Sequence, residues 1–324
     1  MIRIRTPSRL HFGLFSLPST NAGTWLNCEG EPTLPYRSFG GVGLMIDKPG
    51  IELTVEVANR WSIDGPLAAR AQEFINDYCV ASGFESCLKL TIESAAPEHV
   101  GLGTGTQLGL AIVTAMDELI REGLPPDILA RFIGRGRRSA IGVYGFESGG
   151  FLVEGGKTPD RDIAPLLVRH DFPEDWRILL ITPHRLQGTH GQPEVEAFAA
   201  MTHHERNDRT TESLCRLALL GMLPALVHAD LQTFGEAVYD FNRRVGELFR
   251  PIQGGVYAHP RVEELIKKLR GAGIKGVGQS SWGPTVFALV AEGAARELNG
   301  WLAREQDINV LITSANNTGA VLSS

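Results

Sequence analysis

The residues best suited to chemistry form a glycine-rich stretch, PEHVGLGTGTQ, at positions 97–107. Its three glycines, Gly101, Gly103 and Gly105, precede apolar residues with helical spacing: Leu108, Ala111, Ile112, Ala115, Met116, Leu119 and Ile120. Glycine lets backbone N–H groups turn inward, and the start of a helix adds unpaired amides and a partial positive charge. The pattern therefore predicts a cradle for a phosphate or pyrophosphate group. An ordinary loop that ends in a threonine cap is the structural alternative.

The same stretch excludes two common phosphate-binding motifs. No Gly-Lys-Ser/Thr follows the glycines, so it is not the P-loop of nucleotide hydrolases. Leu108 stands where the dinucleotide motif G-x-G-x-x-G requires its last glycine.

Three other stretches carry polar residues that could act on a substrate. Arg9 and His11 alternate on one side of a predicted N-terminal strand, within TPSRLHFGLF at 6–15, where a surface pair is the alternative. The late stretch KGVGQSSWGPTVFAL, at 275–289, lies between a predicted helix and a predicted strand. A basic run at 135–138 could bind a phosphate or form a solvated face.

Together these motifs resemble those of the GHMP kinase superfamily, which includes galactokinase, homoserine kinase and mevalonate kinase. The phosphate loop of that superfamily is matched by Pro97-x-x-x-Gly101-Leu102-Gly103, and the stretches at 6–15 and 275–289 match its first and third motifs in order. The resemblance implies an α+β fold of two domains, which we place at 1–165 and 166–324. The first would be an α/β domain with a left-handed-type crossover region, and the second a ferredoxin-like α/β domain.

Two departures argue against a kinase. Kinases of this superfamily usually read GLGSSA, whereas Gly105 removes a hydroxyl that would help to hold nucleotide-bound magnesium. The segment 142–151, GVYGFESGGF, also lacks the aspartate that many of these kinases use as a base. Phosphoryl transfer needs metal clamping and a positioned base or its equivalent, so an ATP-dependent small-molecule kinase is the alternative hypothesis. A non-catalytic protein that binds a nucleotide or a sugar phosphate is a second alternative.

The sequence is most similar to one branch, the beta-ribofuranosylaminobenzene 5′-phosphate synthases of tetrahydromethanopterin biosynthesis. The resemblance rests on GLGTGTQ, on RGRRSAIGVYGFESGGFLVEGG and on SSWGPTVFAL. It implies a pentosyltransferase that joins phosphoribosyl pyrophosphate to 4-aminobenzoate or 4-hydroxybenzoate and releases carbon dioxide and pyrophosphate. Magnesium is the cofactor expected for such an enzyme, and its ligands are not specified by the sequence.

The resemblance and the residue types together assign three groups of site residues. Pyrophosphate is expected to bind to Gly101, Leu102, Gly103, Thr104, Gly105, Thr106 and Gln107. The predicted catalytic residues are Arg9 and His11, which would hold the benzoate carboxylate, and Glu147, which would stabilise a cationic ribosyl group. The other predicted substrate-binding residues are Ser280, Ser281, Trp282, Gly283 and Arg138.

Composition limits the class of protein. The chain has 324 residues, 43% hydrophobic and 21% charged, with a net charge of −6, which gives no general attraction to nucleic acid or to an anionic membrane. No stretch resembles a signal peptide or reaches the apolar length of a membrane span. Four cysteines without a CxxC pair indicate reduced thiols. We expect a cytoplasmic homodimer.

The elements that must position these residues follow from periodicity. Apolar alternation predicts strands at 2–5, which should be an edge strand, 51–57, 87–93 and 176–182, and a last strand at 309–313. Helical spacing and stop signals predict helices at 66–82, 108–120, 126–138, 193–206, 210–228, 230–248, 260–271 and 293–304.

Overall fold

A computed structural model describes residues 1–17, 24–26, 29, 32–120, 122–188, 196–199 and 208–323. The strands are β1 Ile2–Leu14, β2 Thr24–Leu26, β3 Pro32–Pro35, β4 Gly41–Val57, β5 Ser62–Asp64, β6 Leu88–Ser94, β7 Phe151–Glu154, β8 Leu166–His170, β9 Trp176–Pro183, β10 Gly276–Gln279, β11 Val286–Ala291, β12 Ile308–Thr313 and β13 Val321–Ser323. The helices are α1 Ala68–Ser82, α2 Thr104–Ile120, α3 Pro126–Phe132, α4 Ile141–Ser148, α5 Asp208–Arg216, α6 Leu223–Val227, α7 Leu231–Gln253, α8 Pro260–Gly271 and α9 Glu292–Leu302.

The N-terminal sheet has seven strands and is built around β1. Its order is β13-β1-β4-β6-β5, with β7 paired to β4 and β8 paired to β7. β1 is therefore not the edge strand expected from its first residues, since β13 and β4 flank it on both sides. β5 and β6 pair in parallel, and α1 crosses over between them.

The C-terminal sheet has four antiparallel strands in the order β10-β11-β9-β12. Along the chain its elements run strand, helices, two strands, helix, strand, which is the ferredoxin-like arrangement. The expected α+β fold with a ferredoxin-like second half is confirmed. The boundary differs from the expected 165/166, because β8 joins the first sheet and β13 returns to it at the end of the chain.

The core that joins the two halves lies between β1 and α7. Phe12 of β1 packs against Phe287 of β11, with 5.0 Å between ring centroids. Asn242 of α7 donates to the carbonyl oxygens of Phe12 and Gln279 at 2.8 and 2.9 Å and accepts from the amide of Gln279 at 2.9 Å. Through these three hydrogen bonds, the side-chain amide of Asn242 fixes β1 relative to the C-terminal sheet.

Several elements differ from the sequence prediction. The glycine-dense segment after position 140 folds as a helix, α4, and a strand, β7, because its apolar residues are buried. α3 ends at Phe132, well before the predicted 138. Of the helix predicted at 193–206, only the helical residues 196–199 lie within the described part.

One helical run is long and apolar enough to pass as a membrane span, although none was expected from the sequence. By length and composition alone, Arg209–Val227 could cross a bilayer, and 28% of its most apolar window is buried. α5 and α6 are joined within it by a π-helical turn, Leu217–Met222. Leu214 and Met222 pack in the core, which explains the apolar character of that face.

Candidate active site

A cavity of about 720 Å³ lies where the two halves of the chain meet. The glycine loop 101–106, α7 and the turn that joins β10 to β11 border it. Five arginines also line it: Arg9, Arg70, Arg135, Arg137 and Arg138. A concave site with clustered cations and an apolar side suits an anionic ligand of moderate size. The predicted motifs at the two ends of the chain thus meet at one place.

The glycine loop closes tightly against the β10–β11 turn. Gly101 has φ +88° and Gly103 has φ +72°, values that side chains rarely tolerate. A Cβ on Gly101 would lie 2.2 Å from the carbonyl oxygen of Ser280. Ser280 Oγ donates to the Gly101 carbonyl oxygen at 2.7 Å, and Thr104 Oγ1 donates to that of Pro97 at 2.7 Å. These contacts hold the loop against the turn.

Two guanidinium groups border Gly105. A Cβ on Gly105 would lie 3.3 Å from Arg135 Nη2 and 3.4 Å from Arg70 Nη2. Both arginines lie over the ring of Phe74, with 5.8 Å from Arg70 Cζ and 5.1 Å from Arg135 Cζ to the centroid. Where the kinase loop carries a serine, two cations therefore lie close enough to the first turn of α2 for a side chain there to contact them.

Arg9 and His11 of the N-terminal motif lie beside this loop, as predicted. The Arg9 amide donates to the Leu102 carbonyl oxygen at 2.9 Å, and its Nε would be 3.3 Å from a Cβ on Gly103. The His11 amide donates to Ser280 Oγ at 3.0 Å, and the Ser281 amide donates to the His11 carbonyl oxygen at 3.0 Å. Burial and the nearby charge of Arg9 lower the pKa of His11 well below its usual value, so the imidazole is neutral. We call the surface formed by Arg9, Arg70, Arg135 and the loop the charged wall.

A second surface, the aromatic wall, is formed by Phe198, Phe249 and Trp282. Trp282 packs edge-on against Phe249 and Phe198, with centroid distances of 4.8 and 5.8 Å. Arg138 lies 5.1 Å above the Phe198 ring. Trp282 is buried and lines the cavity, so it serves both the core and the pocket.

Three predicted site residues do not line the cavity. Glu147 is exposed on the last turn of α4, so it cannot face a ribosyl group there. Gln107 is buried under the loop, where its Nε2 donates to the Gly142 carbonyl oxygen at 2.7 Å. Ser280 is fully buried and ties β1 to the loop. The Leu102 side chain also points into the core, so its part in the loop is through the backbone.

The structure adds residues that sequence reasoning missed. Arg70 on α1 had no assigned role, and neither had Glu98 and His99 in the stretch 97–107. Glu154, the last residue of β7, is fully buried. Burial raises its pKa to about 7, although the Ser139 hydroxyl, the Ala140 amide and Arg9 each oppose this shift. The sequence signal that could have identified Glu154 is its position as an ionisable residue directly after the apolar residues Phe151, Leu152 and Val153.

The residues present fit a magnesium ion only in part. Within the described ranges, no group of three or more His, Cys, Asp or Glu side chains could hold a metal. Glu98 is the one carboxylate among the described cavity residues, and its Oε1 lies 3.3 Å from Arg70 Nε. Mg²⁺ commonly keeps several waters and binds through substrate phosphates plus one or two carboxylates. The donor set therefore fits an ion that enters with a phosphorylated substrate.

Comparison with solved structures identifies the fold. The chain superposes on a putative homoserine kinase from Listeria monocytogenes with a TM-score of 0.67 and 17% identity, covering 100% of both chains. A mevalonate diphosphate decarboxylase from Staphylococcus aureus gives a TM-score of 0.64 with 15% identity, covering 100% of this chain and 99% of that one. The family model for the GHMP kinase N-terminal domain matches residues 67–150, and that for the GHMP kinase C-terminal region matches 222–303.

Comparison with curated proteins is more specific. The chain is 33% identical to the beta-ribofuranosylphenol 5′-phosphate synthase of Archaeoglobus fulgidus, with 98% of each chain covered. It is 29% identical to the protein of that name from Methanothermobacter thermautotrophicus, again over 98% of each. A homoserine kinase from Methanopyrus kandleri is 30% identical, over 58% of this chain and 59% of the relative. On this full-length similarity, the chain belongs to the beta-ribofuranosylphenol 5′-phosphate synthase family, enzymes built on the GHMP kinase fold.

Proposed function

We propose that this enzyme joins phosphoribosyl pyrophosphate to 4-hydroxybenzoate and releases carbon dioxide and pyrophosphate. The observation that carries the proposal is one cavity in which a glycine loop and five arginines meet an aromatic wall. The relatives' name specifies a phenol product, which favours 4-hydroxybenzoate over 4-aminobenzoate. The product would be a ribofuranosyl-arene 5′-phosphate.

The reaction needs two bonds to break and one to form. The ribosyl C1′–O bond breaks, and its electron pair leaves with pyrophosphate. The ring carbon that carries the carboxylate attacks C1′ and forms the new C–C bond. The bond from that carbon to the carboxylate then breaks, its electron pair restores the aromatic ring, and carbon dioxide departs.

The charged wall provides the pyrophosphate subsite in this proposal. The amides of the first turn of α2 and the guanidinium groups of Arg70 and Arg135 converge around Gly105. Helix starts and bidentate guanidinium groups both favour phosphate oxygens. They stabilise negative charge as it develops on the leaving group, and magnesium, held by Glu98 and the phosphate oxygens, would add to that stabilisation.

Arg137 and Arg138 are the residues we assign to the 5′-phosphate. Both line the cavity, and Arg138 is held over Phe198. They lie on the segment that follows α3, two and three residues beyond Arg135. One short segment can thereby contact both phosphorylated ends of the same sugar.

Arg9, His11 and Trp282 form the subsite for the benzoate. Arg9 can hold the carboxylate through paired donors, and a neutral His11 can add one hydrogen bond. Trp282 offers an aromatic surface for the ring. Because the carboxylate must leave as carbon dioxide, it needs to be oriented without being strongly stabilised. Hydrogen bonds from Arg9 and His11 can orient it in this way.

A direct assay tests the proposal. The enzyme is incubated with phosphoribosyl pyrophosphate, magnesium and either benzoate, and carbon dioxide and pyrophosphate are measured together. We expect both to appear in equal amounts, faster with 4-hydroxybenzoate. ADP formation from ATP with homoserine or mevalonate, at a rate typical of enzymes, together with no pyrophosphate release, would identify a kinase instead.

The oligomeric state and the cellular location remain predictions. We propose a homodimer in the cytoplasm, and the free thiols of Cys79, Cys87 and Cys215 support a reducing compartment. Sedimentation equilibrium tests the dimer, and a mass of one chain at micromolar concentration would contradict it.

A further inference from the structure

Two buried polar atoms beside the cavity face the same small volume. Oε1 of Glu154 and Nε2 of His11 are both buried without a hydrogen-bond partner in the part of the chain that the structure describes. A Cβ placed on Gly41 would lie 3.3 Å from the first atom and 3.2 Å from the second. The sheet register causes this, since Glu154 pairs with Gly41 on β4 and His11 pairs with Gly43. The two atoms do not bond each other in the structure. A buried polar group left unsatisfied is costly, and a small side-chain shift or one bridging water would satisfy both.

The surroundings decide which side chain carries the proton. Oε2 of Glu154 accepts from the Ala140 amide at 2.5 Å, and the Ser139 hydroxyl also interacts with this carboxyl group. Arg9 and Tyr144 are the charged or titratable groups that interact electrostatically with Glu154, and the facing residue on β8, Leu166, is apolar. Burial favours a neutral carboxylic acid, and burial with Arg9 nearby favours a neutral imidazole. A single proton shared between the two therefore resides on the carboxyl group.

Resting on the proposed function, we infer that Glu154 is a positioning residue: its neutral carboxylic acid donates a hydrogen bond to Nε2 of His11, directly or through one water, and so keeps the imidazole proton on Nδ1. A neutral histidine has one donor and one acceptor nitrogen, and the partner of one nitrogen sets the role of the other. His11 is then a hydrogen-bond donor of fixed orientation beside Arg9. Once Glu154 ionises, it accepts from Nε2 and the tautomer reverses.

The first test reads the tautomer without substrate or turnover. Two-bond proton–nitrogen correlation spectra of the ¹⁵N-histidine-labelled enzyme are recorded at pH 6, with His11→Gln to assign the signals. We expect the Nδ1–H tautomer in the wild type and in Glu154→Gln, and a mixture in Glu154→Leu. A wild-type spectrum with the proton on Nε2, or a charged imidazolium, would overturn the inference whether or not the enzyme makes the proposed product.

The second test compares pH profiles of kcat. Because the substrates titrate identically with every variant, a difference between profiles belongs to the protein. The wild type should lose activity as the pH rises through about 7. Glu154→Gln keeps a permanent neutral donor and should lack that alkaline fall, with kcat at pH 6 within about tenfold of the wild type. The matched control, Glu56→Gln on β4, removes an exposed carboxylate paired with Lys89 and should retain the wild-type profile.

Opposite results are equally informative. If folded Glu154→Gln is as inactive as Glu154→Leu, or falls at the same pH as the wild type, the proton-holding role is wrong. Circular dichroism and a thermal unfolding curve show whether each variant is folded. If the wild type shows the Nδ1–H tautomer but makes no product, the proposed function fails while the hydrogen bond stands.

Discussion

The two walls of the cavity are built in different ways. The charged wall comes from the first 135 residues and is held by backbone contacts, including the close approach of Gly101 to Ser280. The aromatic wall comes from residues 198–282 and is held by edge-on ring packing. In the charged wall, close backbone contacts fix the positions of the charged groups. The aromatic wall provides an apolar surface against which a ring can pack. We therefore expect the charged wall, apart from Arg9, to determine reaction with phosphoribosyl pyrophosphate, and the aromatic wall together with Arg9 to act on the benzoate.

Removing two cations from the charged wall should have the largest effect. Hydrogen bonds to charged groups contribute about 1.5–3 kcal/mol each. Arg70→Ala with Arg135→Ala should therefore lower kcat/KM for phosphoribosyl pyrophosphate by at least about 100-fold, measured by pyrophosphate release at saturating benzoate. Arg131→Ala, on α3 and outside the cavity, is the matched control and should change it little. A loss confined to the KM for benzoate would reverse our assignment of the two walls.

Glu154, which is buried within reach of the charge of Arg9, should give the protein a pH-dependent cost in stability. The pKa of Glu154 is about 7 in the folded protein against an ordinary 4.5. Its stabilising contribution is thus complete below pH 4.5 and is lost as the pH rises through 7, a change of about 3 kcal/mol. Urea unfolding of the wild type and Glu154→Gln from pH 4.5 to 8 should show the difference between them shift by that order, in favour of the variant at high pH. A constant difference would mean that Glu154 is ionised in the fold.

Arg9 distinguishes the two substrates within the charged wall. Arg9→Ala should raise the KM for the benzoate by about 10- to 100-fold, and that for phosphoribosyl pyrophosphate much less. Arg5→Ala, exposed on the same strand and paired with Glu52, is the control. Equal effects on both substrates would place Arg9 in the phosphate site.

The aromatic wall should show the smallest effect. Trp282→Phe keeps a ring but loses contact area, and aromatic pairs contribute about 0.5–1.5 kcal/mol beyond burial. The KM for the benzoate should rise about two- to tenfold, with that for phosphoribosyl pyrophosphate unchanged. Trp301→Phe on α9, beside Lys268, gives the control. A large loss in kcat would mean that Trp282 also positions the reacting carbon.

Sequence reasoning succeeded where local patterns are strong. The glycine loop, Arg9, His11 and the turn at 280–283 were predicted to meet, and the structure brings them together. These predictions depended on glycine spacing and motif order, which follow from backbone geometry. The strands β8 and β13 were missed because short strands at the rim of a sheet are specified by their partners rather than by their own periodicity.

The site residues that were missed or misplaced share a different cause. Arg70 received no role from the sequence, because only the packing of α1 against α2 brings it to Gly105. Glu147 looked well placed because of its glycine neighbours, but the unrecognised helix α4 leaves it exposed. Whether a charge faces a cavity depends on tertiary packing, which a single sequence does not contain.

The central claim is that the cavity joins the ribosyl carbon to the ring carbon that loses its carboxylate. The most direct test uses 4-hydroxybenzoate labelled with ¹³C in the carboxyl group, with phosphoribosyl pyrophosphate and magnesium. We expect one labelled carbon dioxide and one pyrophosphate for each unlabelled ribosyl phenol phosphate formed. A ribosylated product that keeps the label, or pyrophosphate release without labelled carbon dioxide, would contradict it.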